Sequence, residues 1–192
     1  MIVCQIGVSM RTRGLISTLL LTVSFSGIAN GQSKPAQAAS AISSSTTVLN
    51  AAEAQKIFPT SVFFKGQTAP IQGRNSGGLR LPDQKLVLIA LVDNSGYSSQ
   101  DQGRYQAYLL TETWLDIDGH RLAPGAYGCG FATGDIFVVM DIAGHELFLA
   151  HSKRDIDIRR PTPLQIQAAD ESGLYRLYSG RNFVAFRVAA KD

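Results

Sequence analysis

Cysteine is nearly missing from this chain, with two in 192 residues. Cys4 falls in an N-terminal segment expected to be removed. Cys129 then stands alone, which excludes an intramolecular disulfide. No Cys follows the N-terminal apolar run where a bacterial lipid anchor would need one. Long apolar runs are missing too. Leu15 to Ile28 carries no charge, but it is shorter than the roughly eighteen residues of a membrane span. Beyond Pro59 no stretch keeps a helical 3.6-residue period, so helices between parallel strands are not expected. There is no Gly-x-Ser-x-Gly nucleophile elbow. Histidine occurs three times, at His120, His145 and His151.

What is present begins with an export signal. The basic stretch Met10-Arg11-Thr12-Arg13 precedes the apolar run, and Ala29-Asn30-Gly31 supplies small residues for cleavage. Residues 1–31 therefore read as a signal peptide whose true start is Met10. The product is expected to be periplasmic or secreted, with no stable membrane anchor after cleavage. Loss of Arg11 and Arg13 leaves 16 basic against 15 acidic residues, a net of +1. A nearly neutral chain has no electrostatic reason to seek nucleic acid or anionic lipid. Lys153-Arg154 and Arg159-Arg160 are basic but enclose Asp155 and Asp157, as a solvated loop would.

Residues 32–48 are rich in Ser, Ala, Gln and Thr and are expected to be a flexible leader, with one domain over 49–192. Asn50 followed by Glu53 predicts a capped helix, about two turns long and stopped by Pro59. Strand patterns follow. Thr60 to Lys65 is β-branched and aromatic, and Lys85 to Val92 is apolar on both parities, as a strand covered on both faces would be. Asn75-Ser76-Gly77-Gly78 and Asp118-Gly119 read as turns. Residues 97–103 read as a polar loop, and 155–163 as a crossover extended by Pro161 and Pro163. Nine or ten short strands in hairpins predict an all-β antiparallel sandwich with one short N-terminal helix, or alternatively an up-and-down barrel.

The candidate sites are few. Gly128 to Gly134 is glycine-rich but is followed by a strand, whereas a dinucleotide loop needs a helix; crowding relief is the better explanation. Cys129 between two glycines reads as a small buried hydrophobe, not a nucleophile. Six residues of strand would hold His145 and His151 about 20 Å apart, too far for one metal, although His145 is able to meet His120 or Asp141 across strands. Asp116 and Asp118 share parity, but the Asp118 side chain is expected to cap its own turn. No cofactor or metal is expected. Tyr97, Tyr105, Tyr108 and Trp114 are the candidate ligand-binding residues, as amphipathic rings able to stack on carbohydrate beside a polar loop, with core packing as the alternative.

The run Gly119-His120-Arg121-Leu122-Ala123-Pro124-Gly125-Ala126-Tyr127 resembles a hairpin of uncharacterised secreted β-rich bacterial proteins. Phe137 to Asp141 and Tyr175 to Tyr178 suit the same type of protein. The resemblance implies export and an all-β fold and brings no activity with it. Three functions are therefore expected in order: a non-enzymatic binding module for a glycan or small envelope ligand, a structural or interaction protein using a sheet edge or face, and a hydrolase built around His120, His145 and nearby carboxylates.

Overall fold

The computed structural model describes residues 45–190, all within the unit Ser40–Asp192. The signal peptide expected over 1–31 and the leader through residue 44 lie outside the described residues. In chain order the elements are β1 (Thr47–Leu49), α1 (Ala51–Ala54), β2 (Ser61–Phe64), β3 (Gln67–Arg80), β4 (Leu86–Val92), α2 (Ser99–Gln102), β5 (Ala107–Thr111) and β6 (Trp114–Ile117). They continue with β7 (His120–Leu122), β8 (Gly125–Ala132), β9 (Ile136–Met140), β10 (Glu146–His151), β11 (Lys153–Arg154), β12 (Gln165–Ala168), β13 (Leu174–Ser179) and β14 (Asn182–Ala189).

The strands form two antiparallel sheets. The first runs β1-β3-β4-β5-β8-β9-β10, with β2 also on β3. The second runs β12-β13-β14-β6-β7, with β11 also on β14. This is the all-β sandwich that the spacing of the turns predicts. The inner faces meet in one core, in which Val87, Ile89, Leu109, Phe137 and Val139 pack with Leu115, Ile117, Ile166, Leu177, Val184 and Phe186. The gap left between them is about 10 Å³, room for no more than a single water. A barrel enclosing a ligand is thereby excluded.

The first sheet is covered on its outer face as well. The β2–β3 hairpin folds over it and buries Val62, Phe64 and Ala69 against Val138 and Met140. Beside this, α1 seats Ala54 near Leu49 and Leu88. The double cover explains why β4 is apolar on both parities: Val87 and Ile89 face the sandwich interior, while Leu88 and Val92 face the outer layer. The β8 glycines make this layer possible. A Cβ on Gly128 would lie 2.3 Å from the Phe64 ring, and one on Gly130 would lie 2.4 Å from the Arg104 carbonyl oxygen.

Helix α1 begins as expected. Asn50 Oδ1 accepts from the Glu53 N–H at 3.1 Å, and the Glu53 carboxylate accepts from the Asn50 N–H at 2.9 Å. It is one turn, not two, because Ala54 is already seated in the core and the chain tightens into turns before Pro59. Asp118-Gly119 forms the hairpin turn, with φ of 52° and 84°.

Further expectations need correction. Asn75-Ser76-Gly77-Gly78 is not a turn; it lies inside β3, past a register shift between Ile71 and Ser76. None of these residues has a positive φ. Gly78 is needed because a Cβ there would come within 2.6 Å of the Val87 carbonyl oxygen. Second, Thr47 and Val48 belong to β1, paired with Arg80 and Leu79, and not to a leader. Third, the segment between Tyr97 and Gly103 is not all loop. It holds α2, capped where the Ser98 hydroxyl accepts from the Asp101 N–H. Among the described residues fourteen strands are present instead of nine or ten, because short pieces such as β1 and β11 stand as strands of their own. Among the described residues no helix is long and apolar enough to cross a membrane.

Candidate functional site

The four rings singled out by the sequence do not make one platform. Tyr97 and Tyr105 are 6% and 0% exposed. Tyr105 stacks on Phe64 at 3.8 Å, and Tyr97 meets Tyr105 edge-on at 5.2 Å. The Tyr97 hydroxyl donates to the Phe64 carbonyl at 3.0 Å. Burial pushes both phenols upward, with the Asp101 charge adding to the effect at Tyr97. Tyr108 is half-buried against the same cluster, and burial raises its phenol too. Trp114 sits in the second sheet on β6, with the Arg121 guanidinium 5.2 Å from its ring centre. Covered rings such as Tyr97 and Tyr105 offer no face to a sugar. They lock the β2–β3 hairpin and the α2 loop onto the sheet.

The histidines are divided as well. His145 Nδ1 lies 3.0 Å from Asp141 Oδ2, inside the β9–β10 turn, where Asp141 Oδ1 also accepts from the Ala143 and His145 N–H groups. His120 lies flat on Phe148 at 4.7 Å. His151 offers both its N–H and its ring nitrogen to Asp118 Oδ2, at 2.8 and 3.0 Å. Asp118 thus ties the β6–β7 turn to edge strand β10, and its own turn is held by Asp116, which accepts from the Gly119 N–H at 2.9 Å. The expectation that Asp118 caps this turn is corrected accordingly. Asp118 is held below its ordinary value, chiefly by the backbone N–H of His151. Among the described residues no three His, Cys, Asp or Glu side chains converge. Cys129 is fully buried, and burial pushes its thiol upward. Its Sγ lies 3.6 Å from the Ala107 carbonyl oxygen.

A surface cleft of small-molecule size lies elsewhere among the described residues. β1 ends the first sheet and β12 ends the second. Where these two edges come together, a cleft of about 330 Å³ opens. Leu49, Leu164 and Ile166 are buried at its floor, and Val48, Ala51 and Pro163 line its sides. The β12 side is held in place through the crossover before it. The Tyr178 hydroxyl donates to Asp155 Oδ2 at 2.9 Å, and Arg181 donates to the Ile156 and Ile158 carbonyls at 2.9 and 2.8 Å. The Gly180 N–H then fixes the Thr162 carbonyl at 3.0 Å. A second hollow of about 400 Å³, bordered by Thr46, Pro82, Thr113 and Tyr175, is more open.

A Cβ on Gly77 would meet the Ile166 nitrogen at 3.5 Å and the Leu49 carbonyl oxygen at 3.7 Å, both ordinary contact distances. Gly77 therefore withholds a methyl group from the seam. The polar groups are unevenly supplied. The lining residues include one cation, Arg74, and no carboxylate. Arg74 is exposed and has no ion pair among the described residues, unlike Lys65 with Asp101 or Arg104 with Glu146. The Ser76 hydroxyl is already used, donating to the Gly73 carbonyl at 2.6 Å. The Gln165 Nε2 group is shielded from solvent and has no hydrogen-bond partner. Leaving such a donor unpaired costs about 1–3 kcal/mol.

Sequence reading missed Gly77 and Gln165 altogether, because the one was assigned to a turn and the other carries no motif. Compared with known proteins, the chain matches no family model, no curated protein and no solved structure.

Proposed function

We propose that this chain is an exported, non-catalytic binding module whose ligand occupies the cleft between β1 and β12. One observation carries the reading: a mostly apolar cleft of about 330 Å³ whose lining residues include one cation, no carboxylate and Gln165, the amide nitrogen of which has no hydrogen-bond partner. Small-molecule sites have this character, mostly apolar with a few convergent polar groups. The signal peptide read over 1–31 supports a ligand met in the periplasm or outside the cell. The reading is tested by amide NMR with a fragment panel of sugars, amides, acids and amines. Binding should shift the amides of residues 48–51, 74–77 and 164–166, and Gly77→Ala, whose methyl meets only ordinary contacts, should weaken the shifts while leaving the fold intact. Shifts confined to other surfaces, or shifts unchanged in Gly77→Ala, would overturn it.

A second reading, an interaction protein, has its own support. β10 is an edge strand, and its outward Leu147 and Leu149 are 48% and 43% exposed. An open edge with apolar side chains favours pairing with another strand. Sedimentation of the wild type and of Leu149→Lys over a range of concentrations tests it. Association lost in the variant supports this reading, and a concentration-independent monomer in both removes it.

A further inference from the structure

Resting on the binding reading above, we infer that the ligand is a small carboxylate with an apolar body, bound with its chain on the Leu49–Ile166 floor and its carboxylate toward Arg74 and Gln165. Three features of the cleft lead there. The first is size. Pockets for small ligands begin at about 300 Å³, so a cleft of about 330 Å³ is at the small end of that range. A short acyl chain or one apolar amino-acid residue suits it.

The second is the wall. No aromatic ring lines the cleft, so nothing stacks on a sugar face, while Leu49, Leu164 and Ile166 offer aliphatic surface. The third is polarity. Arg74 is the one charged side chain of the lining, the Gln165 amide N–H has no partner, and Asn50, Asn75 and Thr162 add both donors and acceptors. A cationic ligand finds no carboxylate among the lining residues, and a neutral one leaves Arg74 uncompensated. A carboxylate has two acceptor oxygens and answers both donors. The terminal torsion of Gln is broad, so its amide turns toward an acceptor in the cleft at little cost, and charge-assisted hydrogen bonds are roughly twice as strong as neutral ones.

The fatty acid and the peptide C-terminus share this chemistry, and the probes separate them. Octanoate stands for the first and N-acetyl-leucine for the second. 1-Octanol, N-acetyl-leucinamide and octylamine are their neutral and cationic counterparts. Affinities are read from amide shifts of residues 48–51, 74–77 and 164–166. At least one carboxylate should bind about tenfold or more tightly than its neutral counterpart, and the better of the two identifies the source. Arg74→Gln and Gln165→Met should each erase most of that ratio while leaving the neutral probe's affinity unchanged. Thermal unfolding of Gln165→Met checks that the variant folds; replacing an unpaired donor should leave its midpoint equal or higher. If octanol or octylamine binds as tightly as octanoate at these amides, the carboxylate assignment is wrong and the binding reading stands. If no probe of any charge shifts them, both fall.

Discussion

Gly128→Ala tests the reasoning about the outer layer most directly. Gly128 lies in β8, paired with Tyr108 on one side and Met140 on the other. Its φ is not positive, so alanine adopts the same backbone without strain. In an unobstructed strand the change would be neutral or stabilising by about 0.4–1 kcal/mol. Here the new methyl carbon arrives 2.3 Å from Phe64 Cε2 and 2.8 Å from Cζ. Phe64 is fully buried and stacked on Tyr105 at 3.8 Å, and its backbone carbonyl accepts from the Tyr97 hydroxyl. The ring has no free direction. Overpacking of this kind costs about 1–3 kcal/mol, and two aromatic neighbours place this case in the upper part of that range. For about 150 residues each kcal/mol moves the midpoint by roughly 2–4 °C, so thermal unfolding by circular dichroism should show a fall of about 5–10 °C. The double variant makes the test specific. Phe64→Ala alone should cost about 3–5 kcal/mol through its cavity. With the ring gone, Gly128→Ala should cost nothing further, giving a coupling of about 1.5 kcal/mol or more. An unchanged midpoint in Gly128→Ala, or equal costs in both backgrounds, would refute the account of why this strand carries glycine.

Three further outcomes are expected. Asn50→Ala removes the acceptor for the Glu53 N–H and should lower stability by about 0.5–2 kcal/mol in urea, while Asn50→Asp, which keeps an acceptor, should recover most of it. The Cys129 thiol, buried and pushed upward, should not react with a thiol reagent in the native protein and should react at the rate of unfolding; rapid native labelling would contradict its burial. Asp118 sits below its ordinary value, so the stability it contributes is complete above about pH 4 and is lost as pH falls through its lower folded value. Because this carboxylate is 40% exposed, Asp118→Asn should cost under about 1 kcal/mol at pH 7, and the two urea midpoints should converge in acid; a gap that widens on acidification would show the sign to be wrong.

Elements whose physics is local were legible from the sequence. The Asn50–Glu53 capping box needs only two side chains three residues apart. The Asp118-Gly119 turn needs only two residues that tolerate positive φ. The two-sided apolar pattern of β4 needs only cover on both faces, and it held even though the outer cover is a hairpin and a one-turn helix. Reading failed where one residue type serves two physical ends. Glycine supplies positive φ in turns and also lets backbones approach closely. At Gly119 the first applies, at Gly78 and Gly128 the second, and the choice depends on atoms from distant strands such as the Val87 carbonyl oxygen or the Phe64 ring. Asn75 and Ser76 beside Gly77 made the turn reading attractive, yet their side-chain hydrogen bonds, to Gln72 and to the Gly73 carbonyl, are made within a bulged strand.

The same ambiguity decided the site. Tyr97 and Tyr105 flank a polar loop, and from the sequence they suit a ligand rim as well as a core. Which one they form depends on whether β2 folds over the sheet, and that rests on Phe64 finding the space left by Gly128. Once it does, the rings are enclosed and the polar loop is held over them, with Asn94 Nδ2 donating to the Tyr105 carbonyl at 2.5 Å and the Gln102 carbonyl at 3.1 Å. The cleft has the opposite history. Leu49, Gly77 and Gln165 come from three separate stretches and meet only because β1 and β12 end their sheets at the same place. No spacing rule links them. The trace that was available is the glycine pair. Placed in a strand, Gly77 and Gly78 imply that two backbones come close there, and Gly78 is filled by Val87 and Leu88 within its own sheet. Gly77 is left facing Ile166 of the other sheet at a distance that a methyl group would bridge. Alanine at Gly77 would make only ordinary contacts with Ile166 and Leu49, so crowding requires glycine at Gly78 and Gly128 but not at Gly77.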